Sequence, residues 1–217
     1  MSYLTPREQS LRRRRMLWIA LVLALALLIL SLLDKTLWKL LLLDPEKSLE
    51  QKDWWQLLRQ CGSLITWMIV AAFFIIHDHA RRRPGAWHRG LMIVLAAAIA
   101  GGLAEALKGI VGRARPLTTG EYHFKWLEPH AHLPGGLASS HTAVAFGGAI
   151  MLSWFMPMWR VPLMLLAFLC ATTRVIVGAH FVTDVYVAIL LAWVTCLALW
   201  KSFSTNTGGE NHPLTPK

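Results

Sequence analysis

Acidic residues are scarce in this chain. Its 217 residues carry 12 Asp and Glu against 22 Lys and Arg, and charged residues of both signs make up only 16% of the sequence. A soluble domain of this length has to break its apolar runs with polar faces at helical spacing. Here hydrophobic residues reach 55%, mean hydropathy is +0.46, and the runs are barely interrupted. That excludes an ordinary water-soluble core and makes the membrane the first expectation. Cysteine is nearly absent as well. Cys61, Cys170 and Cys196 lie in or beside apolar stretches, with neither paired nor metal-ligand spacing. Internal repeats are lacking, and so is a small-x-small cleavage site after the first apolar run, which is too long for a signal peptide and reads as a retained span.

Apolar stretches long enough to cross a bilayer fall at residues 16–33, 57–76, 90–107, 141–159, 161–178 and 183–200. The expected fold is therefore all-α. It is a six-transmembrane-helix bundle forming one membrane domain over residues 1–217, with a basic N-terminus at 1–15 and a flexible tail at 201–217. The fourth and fifth stretches are parted only by "MPMWRVP", where Pro157 and Pro162 break the helix and Arg160 marks an exit into water. Much of the formal net charge of +10 sits in two clusters, Arg12 to Arg15 and Arg81 to Arg83, each beside an apolar span. No nucleic-acid recognition module accompanies them, so they read as topology signals that hold the N-terminus, the 77–90 loop and the C-terminus on the cytoplasmic side. The 34–56 loop, the 108–140 loop and the 174–184 turn then share the outer face. His77 to His79 fall on the inner face and read as a solvated loop rather than a metal site.

Ionisable groups at span ends are costly to desolvate, and three polar clusters meet on the outer face. The first is Lys108, Arg115 and Pro116; the second is Ser139, Ser140 and His141; the third is Arg174, His180 and Asp184. Singly, each has a structural reading: snorkelling cations, a serine N-cap, an i,i+4 hydrogen bond. Jointly they supply three cations, two histidines, one carboxylate and hydroxyls, with few acids to neutralise the cations. A phosphate group completes such a set, because Lys and Arg meet its charge and serine and helix N-terminal amides meet its oxygens. Two histidines can divide nucleophile and acid, with His180 attacking, His141 protonating the leaving alcohol and Asp184 orienting His180. The set lacks the carboxylate cluster that holds Mg²⁺, so neither metal nor cofactor is expected.

These residues resemble the type 2 phosphatidic acid phosphatase superfamily. Its K-x6-R-P is matched by Lys108, Arg115 and Pro116. Its P-S-G-H is matched in part by Ala138, Ser139, Ser140 and His141. Its S-R-x5-H-x3-D is matched by Thr173, Arg174, His180 and Asp184. The resemblance implies a lipid phosphatase in a bacterial cytoplasmic membrane, working through a phosphohistidine on His180. Lys108, Arg115, Arg174, Ser139 and the Ser140 amide would bind the phosphate. Two departures stand out: Ala138 replaces a proline, and Ser140 replaces a glycine, which would impair the site if that position needed a positive φ. Candidate substrates are phosphatidic acid, phosphatidylglycerol phosphate, undecaprenyl pyrophosphate and lipid A phosphates. The segment 117–136, with its aromatics and His123, His130 and His132, reads as a headgroup entrance or as interface anchors. Phosphate transfer to a second lipid and non-catalytic binding or transport of an anionic lipid are the alternative readings of the same residues.

Overall fold

A computed structural model of the chain describes residues 5–42, 51–116 and 135–206. Among them every regular element is a helix, apart from one isolated bridge between Ala114 and Gly135. The helices are α1 (Pro6–Leu41), α2 (Asp53–Gln60), α3 (Leu64–Ala80), α4 (His88–Val111), α5 (Ser140–Phe155), α6 (Arg160–Ile176, led in by a 3₁₀ turn at Pro157–Trp159) and α7 (Val182–Asn206). All six apolar stretches are thus helical, and five features of their boundaries differ from expectation for identifiable reasons.

α1 starts early, at a capping box in which Thr5 Oγ1 accepts from the Glu8 amide at 3.3 Å and the Glu8 carboxylate accepts from the Thr5 amide at 2.8 Å. It also runs on to Leu41, so Asp34 lies inside a helix rather than in an outer loop. The 57–76 stretch is two helices meeting at 66° across residues 61–63. Gly62 permits that corner, since a Cβ there would stand 2.9 Å from both Cβ and the carbonyl of His141. α3 continues to Ala80, which puts His77 to His79 in its last turn. The stretch is helix rather than loop; His79 is exposed, but Asp78 is buried, and Arg89 of α4 grips it through Nε at 2.6 Å and through Nη2, with Arg83 Nη1 at 3.4 Å. A buried carboxylate needs such partners, and this one clasps α3 to α4. Finally, α7 is helical to Asn206, so residues 201–206 belong to a helix, while 207–217 lie outside the described residues.

Four helices, α1, α4, α6 with its lead-in turn and α7, are long and apolar enough to cross a membrane, and the bent pair α2 and α3 would make five. α5, at 16 residues, is shorter. It is also the hub, buried without a break from Thr142 to Ser153 and packed by α4, α6 and α7, while α3 covers α4 and α1 lies against α7 and α6. Lipid gives helices no hydrophobic reason to associate, so close van der Waals packing has to hold them. Ala96, Ala97, Ala100 and Ala104 of α4 are fully buried against Ala143, Gly147 and neighbours of α5. A Cβ on Gly147 would stand 2.6 Å from the Ala96 carbonyl oxygen, whereas one on Gly109 meets nothing within 4 Å. We expect Gly147→Ala to destabilise the protein by roughly 1–3 kcal/mol through overpacking. Gly109→Ala should be neutral or slightly stabilising through helix propensity. Thermal unfolding of both variants in detergent checks this, and equal melting temperatures would contradict the packing account.

Candidate active site

The alternating direction of the helices brings four of their ends together. α4 and α6 finish, and α5 and α7 begin, at the end of the bundle where the three polar clusters meet. α4 stops because Gly112 adopts the left-handed conformation, φ 58°, with its amide donating to the Lys108 carbonyl at 2.9 Å. The chain then runs extended through Arg113 to Arg115. There Ala114 bridges Gly135, and the Gly136 amide donates to the Arg113 carbonyl at 2.6 Å. These two glycines allow a close approach. A Cβ on Gly135 would lie 3.0 Å from Lys108 Cβ, and one on Gly136 would lie 3.1 Å from the Ala114 carbonyl and 3.3 Å from Asp184 Oδ2.

α6 ends the same way, at Gly178 with φ 72°. The Arg174 carbonyl accepts from the amides of Ala179 at 3.1 Å and His180 at 3.2 Å, which turns His180 back into the bundle. His180 is 2% exposed. Its Nδ1 lies 2.8 Å from the Gly136 carbonyl and 3.5 Å from Asp184 Oδ2. A carbonyl oxygen only accepts, so Nδ1 carries the proton and Nε2 keeps its lone pair. The expected orienting partner, Asp184, therefore shares that task with a backbone carbonyl that no side-chain motif could reveal. Burial holds the His180 imidazole below its ordinary value of 6.5; the Asp184 hydrogen bond and charge oppose this, and the charges of Arg174 and Arg115 add to it.

Asp184, fully buried, is held from two sides. Its Oδ2 accepts from the Phe181 amide at 2.9 Å, and its Oδ1 accepts from Arg113 Nη1 at 2.8 Å. Arg113 also donates through Nη2 to Asp34 Oδ2 at 2.8 Å and through Nη1 to Thr183 Oγ1 at 2.6 Å, with its guanidinium 4.3 Å from the Phe181 ring centroid. Arg113, Asp34 and Thr183 were not among the expected site residues. Their signals in the sequence are a lone carboxylate at the end of the first apolar stretch and the place of Arg113 between Lys108 and Arg115.

Lys108 is buried, and its Nζ donates to Ser140 Oγ at 2.9 Å and to Glu105 Oε1 at 2.7 Å. Ser140 is the first residue of α5, and Arg82 alone among the described non-glycine residues has a positive φ, so a side chain at position 140 is unstrained. Ser139 is the N-cap: its hydroxyl accepts from the Thr142 amide at 3.5 Å and from Thr142 Oγ1 at 3.0 Å, and its own amide donates to the Asp184 carbonyl at 3.2 Å. That hydroxyl is buried and caps α5, and both of these bonds use it as an acceptor. Arg115 is half-buried, its Nε 3.4 Å from the Gly135 carbonyl, and Arg174 is half-buried in the last turn of α6. His141 is half-buried beside Ser140 and lines a cavity of about 340 Å³ with Glu105, Gly102, Gly101, Ala98 and Val144. Lys108, Arg115, Ser139, Ser140, His141, Arg174, His180 and Asp184 are thus at one end of the bundle. The 117–134 part of the expected entrance lies outside the described residues. Among those described, no three of His, Cys, Asp and Glu stand close enough to hold a metal ion.

Comparison with solved structures finds the same fold twice. The crystal structure of Aquifex aeolicus LpxE matches with a TM-score of 0.60 and 23% identity over 78% of this chain and 95% of that one. The crystal structure of a transmembrane PAP2 type phosphatidylglycerolphosphate phosphatase from Bacillus subtilis matches with a TM-score of 0.59 and 20% identity over 88% of this chain and 98% of that one. No curated protein matches the chain in sequence. The sequence model of the PAP2 superfamily matches residues 89–208, more than half of the chain and every one of the three motifs. The chain belongs to the PAP2 superfamily.

Proposed function

We propose that the protein is a metal-independent phosphatase of membrane lipid phosphates, acting through a phosphohistidine. The observation that carries this reading is the His180 imidazole, buried, with Nδ1 bonded to a carbonyl and Nε2 left as a base, among Lys108, Arg115 and Arg174. His180 Nε2 attacks phosphorus as the bond to the lipid oxygen breaks, and His141 gives that oxygen its proton. Water then attacks the phosphohistidine with His141 taking its proton, the P–N bond breaks, and inorganic phosphate leaves. The cations and the α5 N-terminal amides meet the charge on the phosphoryl oxygens throughout.

A lipid substrate is supported by the cavity. Ala98, Gly101, Gly102 and Glu105 follow one face of α4 over about 10 Å, so apolar walls lead away from His141. The structural relatives named LpxE and phosphatidylglycerolphosphate phosphatase are in keeping with it. We further read α5 as a sixth crossing and the site as facing outward in a bacterial cytoplasmic membrane, because Arg12 to Arg15 and Arg81 to Arg83 belong to the opposite helix ends and basic residues favour the cytoplasm.

Purified protein in mixed micelles should release inorganic phosphate from a panel of lipid phosphates with chelator present. His180→Ala should lower kcat by at least about 10³-fold. Phosphate appearing only on a second lipid would replace hydrolysis by transfer, and retained turnover in the variant would remove the nucleophile. The acid limb of kcat/KM, corrected for the substrate phosphate's own ionisation near about 6, should lie below 6.5. The sign follows from burial: the neutral, attacking ring is lost as pH falls, and only below its ordinary value. Gly102→Trp, at a position where a Cβ meets nothing within 4 Å, should fold normally yet lower the ratio of long-chain lipid to short water-soluble phosphate turnover by about 10-fold, ~1.4 kcal/mol. An unchanged ratio would take the cavity out of lipid binding. A cysteine at Gly109 should react with a membrane-impermeant maleimide on intact cells and one at Arg82 should not; the reverse pattern would overturn the orientation.

A further inference from the structure

We propose that Asp34, on the first helix and outside the residues 89–208 that the family model matches, is a positioning residue for the reacting imidazole, acting through Arg113 and Asp184. The inference rests on the phosphatase reading above.

Over its most apolar window α1 buries none of its residues, so its own packing there asks for no charge. Asp34 nevertheless sits fully buried at the site end of that helix. A charged side chain inside a membrane span costs roughly 2.5–3.5 kcal/mol on insertion scales, and such residues commonly mark function. Its partners are specific. Asp34 Oδ1 accepts from the Thr183 amide at 3.0 Å, Oδ2 accepts from Thr183 Oγ1, and Oδ2 also accepts from Arg113 Nη2 at 2.8 Å. The other arm of the same guanidinium, Nη1, is 2.8 Å from Asp184 Oδ1. One planar fork therefore bridges two carboxylates, a task its fixed geometry suits and an ammonium does not.

The arrangement has an electrostatic consequence. Two carboxylates and one guanidinium leave one net negative charge in the buried triad, close to His180. When His180 attacks phosphorus its ring becomes positive, and that charge is favoured by the field of Asp184. Arg113 alone would cancel most of this field. Asp34 shares the guanidinium with Asp184, one 2.8 Å bond to each, and so leaves Asp184 effective. Asp34 also holds the first turn of α7, fixing where Asp184 and the 177–181 turn present His180.

The test compares Asp34→Asn with Asp34→Glu, Arg113→Lys and Tyr186→Phe. The last is the control for α1 docking, since Tyr186 donates to the Leu23 carbonyl of α1 at 3.0 Å, eleven residues along the helix from Asp34. Full-length protein in mixed micelles with phosphatidic acid is assayed for phosphate release across pH, with thermal unfolding measured in parallel. The charged and titratable groups that face His180 are Asp184 from α7, Arg174 from α6, Arg115 after α4 and His141 from α5. All are present in every variant, so a moved acid limb reports the network. Asp34→Asn should lower kcat by about 10-fold to 100-fold, the range that outer partners of metal-bound imidazoles carry. KM should stay within about threefold, and the acid limb should move to lower pH because less negative field reaches the ring. Asp34→Glu should regain part of kcat, Arg113→Lys should behave like Asp34→Asn, and Tyr186→Phe should keep wild-type kcat. A folded Asp34→Asn protein with wild-type kcat and acid limb overturns the proposal, as does an equal kcat loss in Tyr186→Phe. Should Asp34→Asn not fold, Arg113→Lys decides: full kcat there overturns the proposal, and a lowered kcat with a moved limb sustains it. If wild-type protein releases no phosphate the phosphatase reading falls and this one with it, whereas wild-type release abolished in His180→Ala and unchanged in Asp34→Asn removes the network alone.

Discussion

A carbonyl oxygen accepts hydrogen bonds and never donates one. At 2.8 Å from His180 Nδ1, the Gly136 carbonyl therefore decides which ring nitrogen holds the proton and leaves the other free to act. The rest of the site is arranged to keep that oxygen in place. Gly136 is pinned by its own amide to the Arg113 carbonyl, Gly135 bridges Ala114, and both segments approach closely enough that a side chain on either glycine would crowd Lys108 or Asp184. His180 arrives from the other side on the Gly178 turn. Two helix ends, α4 and α6, both closed by glycines with positive φ, thus converge on one hydrogen bond.

Holding charge next to that bond is the second problem, and it is met by sharing. Removing one member of a buried ion pair costs about 3–5 kcal/mol because the survivor is stranded. Asp34, Arg113 and Asp184, each 4% exposed or less, are consequently interdependent, and the same logic applies to Asp78 with Arg89 at the far end of the bundle. The two clusters differ in what they touch. The Asp78 cluster ties α3 to α4 and ends there, whereas the Asp34 cluster continues through Asp184 to an imidazole.

Much of this was legible in the sequence, and the failures are physical in kind. Helices leave a hydrophobic signature, so all six apolar stretches were recognisable, and K-x6-R-P with S-R-x5-H-x3-D-like spacing located the cations, His180 and Asp184 without coordinates. Asp34 and Asp78 were read as loop charges because hydropathy ends a span at its first ion and cannot see that a partner 79 residues away, or 11, lets the helix continue. The bend at residues 61–63 was invisible because it depends on how tightly Gly62 meets His141. Gly136 could not be found by side-chain reasoning at all, since its contribution is a backbone atom. Ser139 carried two readings, phosphate ligand and N-cap, and its buried bonds to Thr142 favour the cap.

Two carboxylates flank the proposed phosphate-binding groups, and their exposure gives them opposite fates. Glu105 lies 2.7 Å from Lys108, but its side chain is 62% exposed. Pairs of that kind contribute up to about 1 kcal/mol, because water can replace the partner at little cost. An anion of higher charge, such as a phosphate group of about −1.5 to −2, displaces so exposed a partner at little cost. Asp34 has no such exit. It is fully buried and bonded to Thr183 and Arg113, so water cannot take the place of its partners. Exposure separates the acid whose partner water can replace from the acid whose partners it cannot.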